Sequence, residues 1–559
     1  MATISEALTI AIQHHQAGRL QAAEQIYRKI LQAERNHADA WHLLGLIAHQ
    51  VGKHDVAIEH IAYAIRLAGD RAPFHQSLGD VYRALRRLPE AVACYRRALE
   101  LMPDFAGAHN NLALVLNDLG KPDEAAACCR RALELSPDFA EAHNNLANAL
   151  KNQGALDEAI ACYRRALELK PDCAEACCNL GTALGERGEL SEAVACHRRA
   201  LELKPDCAET YNALGLALQA QGQLAEALAC YQRAIELEPQ HAEAHYNHSM
   251  LRLLAGDFQQ GLAEYAWRWE TRRDPFILPP FPQPIWDGRP LEGRRLLLHG
   301  EQGYGDTLQF IRYAAQAKRL GARVLAGCGK PLVRIVRSCR SVDQVVHEIM
   351  SPQDFDVYCP LLNMPHLLKT TLDSVPNDVP YLFADPALVE RWRGELDPIA
   401  GFKIGIAWRG NPKHRNDRAR SVPLSCFQPL GRLPGIHLVS LQKGAGEEDL
   451  PAARDRLPVT ELGSRLDDFM ETAAVLVNLD LVITCDTAMA HLAGALGVPV
   501  WVALPLVPDW RWLLDRSDSP WYPTMRLFRQ DRRGDWQSVF QRIEAALREH
   551  LAGRAGRKQ

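Results

Sequence analysis

The chain has 559 residues, 47% of them apolar and 24% charged, with a formal net charge of -4. That length predicts more than one domain. The charge balance argues against a nucleic-acid or anionic-membrane partner, and no apolar run reaches the roughly 18–20 residues of a membrane span. The opening residues, MATISEALTIAIQHHQAG, lack a basic stretch followed by an apolar core, so no signal peptide is expected.

The first half repeats itself. Pro103, Pro137, Pro171, Pro205 and Pro239 are each 34 residues apart. Such a period implies a solenoid of helix pairs, each burying its apolar face only against its neighbours. With Tyr211 as position 4 of one unit, Leu214, Gly215, Ala227, Tyr231, Ala234 and Pro239 fall at positions 7, 8, 20, 24, 27 and 32. Trp41, Leu44 and Gly45 give the same opening in an earlier copy. This pattern resembles the tetratricopeptide repeat. In this register seven repeats run from Ile4 to His241. A degenerate eighth follows, with Gly261 and Arg268 where small alanines belong, and the array is expected over residues 4–272.

Two side-chain rows recur within the array. Cys94, Cys128, Cys162, Cys196 and Cys230 share one register and read as small hydrophobes. With no CxxC pair among 15 cysteines, they predict structural thiols in a reducing cytoplasm. Asn111, Asn145, Asn179 and Asn247 share position 6. If the first helix of each pair lines a groove, these carboxamides offer donors and acceptors to the backbone of an extended polypeptide. A similar asparagine row is known in the repeat arm of the O-GlcNAc transferase family. The alternative is that Asn merely recurs in recently duplicated HNNLA blocks.

Residues 273–292 form a connector holding Pro275, Pro279, Pro280, Pro282, Pro284 and Pro290, too dense for a helix and apolar enough to pack on its neighbours. From Arg294 short apolar runs alternate with helical stretches. RRLLLHG, RVLAGC, DVYCPLL, FKIGIAW, HLVSLQ, DLVITC and VPVWVAL are strand candidates. Strand–helix alternation implies parallel sheets covered on both faces. Two Rossmann-like halves are expected, residues 293–390 and 391–552, with a disordered tail over 553–559.

Two loops at strand ends carry the candidate chemistry. After the first strand comes Gly300-Glu301-Gln302-Gly303-Tyr304-Gly305-Asp306-Thr307. It matches neither a Walker loop nor a dinucleotide fingerprint. Taken alone, Asp306 reads as a helix cap. After DLVITC, Asp486 and Thr487 open a helix that carries His491 about one turn in. A helix starting at a strand end offers free N–H groups to a diphosphate. The nearby Asp354-Phe355-Asp356 opens a strand, and neither it nor any His/Cys cluster predicts a metal site. Trp510, Trp512, Trp521 and Tyr522 read either as a stacking platform or as core.

Asp-Thr-x-x-x-His followed by LAGALGVP resembles the sugar-nucleotide loop of the bacterial heptosyltransferase family, and Gly305-Asp306 resembles that family's opening loop. Arg420-Ser421-Val422-Pro423 and the loop from Gly444 to Glu447 and Glu448 fit the same pattern. The order of all segments resembles a bacterial group of repeat-fused glycosyltransferases. The resemblance implies an α-solenoid followed by a glycosyltransferase-B fold. It implies Asp306 as general base, with Gly303 and Gly305 as loop backbone. Asp486, Thr487, His491 and Arg420 would hold the donor, joined by Lys443, Arg409 and Glu448. Ala488 stands where the family has Gly, and Arg420 where Lys is common. The expected activity is inverting, metal-independent transfer from a nucleotide-diphosphate sugar to a polypeptide, with no further cofactor. The alternatives are a non-catalytic scaffold and a transferase acting on a glycan.

Overall fold

The computed structural model describes residues 3–271, 281–347, 354–414 and 416–557. The chain forms two compact units, Met1–Ala217 and Leu218–Gln559.

The first unit is helical throughout. Paired helices such as Ile4–Gln16 with Leu20–Ala33 and Ala72–Ala84 with Leu88–Leu101 repeat along it. Each pair closes where a small residue, glycine or alanine, meets the second helix. A Cβ on Gly79 would lie 2.7 Å from the Tyr95 ring, and one on Gly181 would lie 2.8 Å from His197. Tyr27, Tyr95 and Tyr163 are fully buried at this position. The turn inside each pair needs a left-handed residue. Gly18, Gly52, Gly120, Gly154 and Gly188 supply it, whereas Arg86 occupies the same place at φ 57°. A non-glycine residue there is strained.

Asparagines link successive repeats. Asn145 donates to Asn110 at 2.8 Å, Asn179 to Asn144 at 3.2 Å, and Asn111 to Asp80 at 3.0 Å. The position-6 row is therefore partly spent inside the array instead of wholly offered to a polypeptide. The cysteines are all free thiols. The row Cys94, Cys128, Cys162, Cys196 and Cys230 is half-buried instead of fully enclosed. Burial raises the Cys94 and Cys196 thiols to about 11, so both stay protonated at neutral pH.

The second unit starts within the helix Ala208–Gln221 and continues through Leu224–Leu237, Ala242–Leu254, Phe258–Glu264 and the short turn Tyr265–Trp269. These helices were expected to belong to the array. They continue its helix pairs into the second unit, and the last of them packs on the α/β region through Phe258, which lies 5.8 Å from Trp510 and 6.1 Å from Trp521. Asn247 is 6% exposed on the helix Ala242–Leu254, so it belongs to this core and not to an open groove.

Two all-parallel sheets follow. The first has the order β3-β2-β1-β4, from β1 (Arg295–His299), β2 (Arg323–Gly327), β3 (Gln344–Val346) and β4 (Val357–Pro360). The second has the order β10-β9-β8-β5-β6-β7. Its strands are β5 (Phe402–Ala407), β6 (Ile436–Ser440), β7 (Val459–Glu461), β8 (Leu481–Cys485), β9 (Val500–Leu504) and β10 (Met525–Arg529). All seven strands expected from apolar runs are present. The three additional ones, β3, β7 and β10, lie at sheet edges, where a strand buries less and needs no unbroken apolar run.

Of the connector, residues 273–280 lie outside the described residues, including Pro275, Pro279 and Pro280. The remainder packs on the first sheet. Phe281 meets Phe355 at 5.2 Å and Tyr358 at 5.1 Å, and Trp286 is 2% exposed. The final helix spans Trp536–Arg557, and the last two residues of the expected tail lie outside the described residues. Arg554 holds that end by pairing with Asp480 at 3.1 Å.

Candidate functional site

In an open parallel sheet, ligands sit beyond the carboxyl ends of the strands, where the strand order reverses. In the first sheet β1 is flanked by β2 and β4, so the loop after β1 opens at that reversal. In the second sheet β5 lies beside β8, so the loops after β5 and β8 flank the corresponding point. These are the loops that hold Asp306, Arg409 and Asp486.

The helix Tyr304–Phe310, which follows β1, packs directly against the helix Ala488–Ala495, which follows β8. Gly305 makes the approach possible. A Cβ there would lie 2.8 Å from His491 Cδ2 and 3.5 Å from the Ala488 Cα. The two expected loops are thus brought together.

Asp306 fills the expected cap role, and its second oxygen is engaged as well. Its Oδ2 accepts the Gly303 N–H at 2.9 Å, the local cap. Its Oδ1 accepts from Arg511 Nη2 at 2.5 Å. Arg511 donates through Nη1 to Asp509 at 2.7 Å, and its side chain is only 7% exposed. Burial pushes the Asp306 carboxyl above its ordinary range, against the pull of Arg511. Asp509 caps the turn Trp510–Trp512 by accepting the Arg511 N–H at 3.0 Å.

Asp486 sits at the lip of the second helix. Burial and the facing Asp509 push its carboxyl up to about 6, opposed by Arg420 and Arg511. The buried Trp512 N–H makes no full hydrogen bond, yet lies close enough to favour the ionised Asp486. Arg420 is brought to this turn as expected, donating to the Asp486 carbonyl at 3.0 Å. Thr487 occupies the N-cap position without a side-chain cap hydrogen bond. The first N–H groups of the helix are therefore not met by a capping side chain.

His491 does not face an opening. It is 5% exposed, stacked on Trp512 at 5.2 Å and bonded through Nδ1 to the Tyr522 hydroxyl at 3.1 Å. Burial, with Arg511 next, holds its pKa well below the usual value, so the ring is neutral. Trp510, Trp512, Trp521 and Tyr522 are at most 2% exposed and form core, not a stacking platform.

The remaining expected donor residues form a separate group. Arg409 pairs with Glu448 at 3.0 Å, and Glu448 also accepts the Gly446 N–H at 2.7 Å. Lys443 donates to the Leu466 carbonyl. Gln442 organises this loop, accepting the Trp408 and Arg409 N–H groups at 2.9 and 3.1 Å. No hydrogen bond or ion pair among the described residues links Arg409, Lys443 or Glu448 to Asp306 or Asp486. Asp356 of the DxD sequence pairs with Arg295 at 2.8 Å.

Sequence reasoning missed Arg511 and Asp509. The available signal was an arginine between two tryptophans, since a charge embedded in an apolar run must find a partner.

Models described as tetratricopeptide repeat match residues 8–72, 77–138, 140–173 and 208–241, and a TPR repeat model matches 183–222. The array is built of tetratricopeptide repeats. Protein FlbA of Caulobacter vibrioides is 29% identical over 294 residues, 48% of each chain. The chain thus spans about half the length of the curated relative it matches. Among solved structures, YrrB, described as a TPR protein with an unusual peptide-binding site, is 24% identical. It covers 33% of this chain and 95% of its own, at a TM-score of 0.27. A thermophilic TPR protein of Thermus thermophilus is 25% identical, covers 33% of this chain and 99% of its own, and has a TM-score of 0.30. No helix among the described residues is long and apolar enough to cross a membrane.

Proposed function

We propose that the chain is a glycosyltransferase, with the two parallel sheets as the Rossmann-like halves of a glycosyltransferase-B fold. It moves a sugar from a nucleotide-diphosphate sugar to a polypeptide bound by the repeats, in a reducing cytoplasm. One observation carries this reading: the Asp306 helix of the first sheet packs on the Asp486 helix of the second, at the strand-order reversals of both.

In that reaction the acceptor hydroxyl oxygen bonds to the anomeric carbon as the bond from that carbon to the diphosphate oxygen breaks. The electron pair leaves on the diphosphate, and the hydroxyl proton passes to Asp306. The start of the Ala488 helix and Arg420 stabilise the departing charge. One displacement inverts the anomeric centre. Fixed backbone donors and arginine supply the charge stabilisation, so no metal is invoked.

The test is incubation of the full chain with a panel of nucleotide sugars and host lysate, beside Asp306→Asn. Sugar incorporation that the substitution abolishes supports the reading. No incorporation, or equal incorporation by the variant, sinks it.

A second reading is a non-catalytic tetratricopeptide scaffold whose α/β region only senses a nucleotide sugar. The engagement of both Asp306 oxygens favours it. Thermal stabilisation by a nucleotide sugar without turnover would decide for this reading. Transfer to a glycan instead of a polypeptide would keep the enzyme and change its acceptor.

A further inference from the structure

One guanidinium is shared between two carboxylates beside the Asp486 turn. Arg511 reaches Asp306 at 2.5 Å through Nη2 and Asp509 at 2.7 Å through Nη1. It lies over the Trp510 ring at 4.7 Å and the Phe310 ring at 5.4 Å. Its Nε is buried with no hydrogen-bond partner. The segment that carries it is held from below. Arg529 donates to the Trp512 and Leu513 carbonyls at 3.2 and 2.9 Å, and Leu513 is pinned at φ 54°. A left-handed leucine persists only where its surroundings enforce it.

We propose that Arg511 is a positioning residue: anchored on Asp509, it sets the charge and aim of Asp306, and Asp509 tunes how tightly it does so. This rests on the transferase reading only for its functional meaning, because the ion pairs stand without it. Arg511 favours the ionised Asp306, while Asp509 competes for the same cation and repels that charge. Asp486, at the start of the helix packed on that of Asp306, faces the same Arg511 and Asp509 and is read separately from its own peptide. Glu301, on the Asp306 loop, is paired with Arg268 at 2.9 Å. His491 on the Ala488 helix is neutral, and Tyr265 hydrogen-bonds Gln302 at 3.1 Å.

The two neighbours therefore make predictions of opposite sign. Arg511→Gln removes the stabilising cation and moves the Asp306 titration to higher pH, by about 1–3 units. Asp509→Asn removes the repulsion, leaves Arg511 to Asp306 alone, and moves it to lower pH. Simple loosening of the site would expose Asp306 and lower its titration in both variants.

Carbodiimide-driven amine labelling of the full-length protein, followed by peptide mass spectrometry, reads protonation at Asp306 across pH. The exposed Asp373 serves as the control. Labelling that persists to higher pH in Arg511→Gln and ends at lower pH in Asp509→Asn supports the proposal. Arg511→Lys, which keeps a charge, restores most of the wild-type profile. Equal midpoints, a downward shift in both variants, or no Asp306 labelling in Arg511→Gln overturns it. Should Arg511→Gln not fold, Asp509→Asn decides: a lower midpoint with unchanged amide exchange over the helix Tyr304–Phe310 supports the proposal, and a lower midpoint with faster exchange, which loosening gives, overturns it. In a transfer assay the acid limb of the rate follows the same two signs. Absence of any transfer by the wild-type chain sinks the transferase reading and leaves the labelling result standing.

Discussion

Arg268 and Glu301 form a buried, two-pronged ion pair, with side chains 1% and 2% exposed. Arg268 Nε and Nη2 donate to the two Glu301 oxygens at 2.9 and 3.1 Å. The arginine is stacked against Tyr265 and Trp269 at 4.6 and 4.1 Å. Glu301 also accepts the Leu362 N–H at 3.0 Å. The residue that breaks the repeat pattern is thus the one that joins the last helical turn to the loop of Asp306.

Removing one partner strands the other as a buried, uncompensated charge. Arg268→Met or Glu301→Gln is expected to cost about 3–5 kcal/mol in urea unfolding of the second unit. The double variant Arg268→Met/Glu301→Met should lose much less than the sum, because no charge remains buried. Strict additivity would show that the pair is not coupled. Deleting residues 1–207, before the helix in which the second unit starts, should leave a folded fragment in size-exclusion chromatography, whereas deleting through 273 removes Arg268 and should yield aggregate.

Gly305 is the contact point of the two candidate helices. Gly305→Ala puts a Cβ 2.8 Å from His491, a ring already locked between Trp512 and Tyr522. Overpacking of this kind costs about 1–3 kcal/mol. The measurable signs are that loss and a changed near-ultraviolet dichroism from the buried tryptophans. Unaltered stability would mean the helices separate without cost.

His197 occupies the place that Tyr95 and Tyr163 fill in other repeats, and it is 1% exposed. Burial lowers its pKa from 6.5 to about 4. The unfolded chain then binds the proton more readily than the folded one, so stability rises with pH. It is complete above about 6.5 and falls as the pH drops toward about 4. The slope from this residue is about 1.4 kcal/mol per pH unit within that window. His197→Tyr should remove it, seen as a smaller difference between urea midpoints at pH 7 and pH 5. An unchanged difference would assign the acid sensitivity to other groups, such as His42, which burial also lowers to about 4.

Arg86 carries a left-handed turn that neighbouring repeats give to glycine. Arg86→Gly relieves about 1–3 kcal/mol of backbone strain. Against this stand about 0.5–1 kcal/mol of added chain entropy and a solvent-exposed pair with Asp118 that contributes little. The net expectation is a gain of about 1 kcal/mol in the first unit. Arg86→Ala should show no such gain, and a loss on Arg86→Gly would mean the ion pair outweighs the strain.

The legible parts of this chain were those with a period. The 34-residue spacing of Pro103 to Pro239 was enough to predict the helix pairs, and unbroken apolar runs marked β1, β2, β4, β5, β6, β8 and β9. The edges β3, β7 and β10 escaped, since QVV and VTE are only three residues long and MRLFR is broken by two arginines. Asp306 and Asp486 were found because a polar residue after an apolar strand stands out locally. Arg511 was not, because its partner Asp306 lies 205 positions away.

Local pattern alone thus determined the repeats, the parallel strands and the two polar loops at their ends, since propensity and burial act over a few residues. Tertiary structure alone decided which side chains share a space. It turned His491 into a neutral packing ring, joined Arg268 to Glu301, and set Arg511 between Asp306 and Asp509. The reason is physical: burial and charge pairing depend on distance through space, which spacing along the chain does not encode.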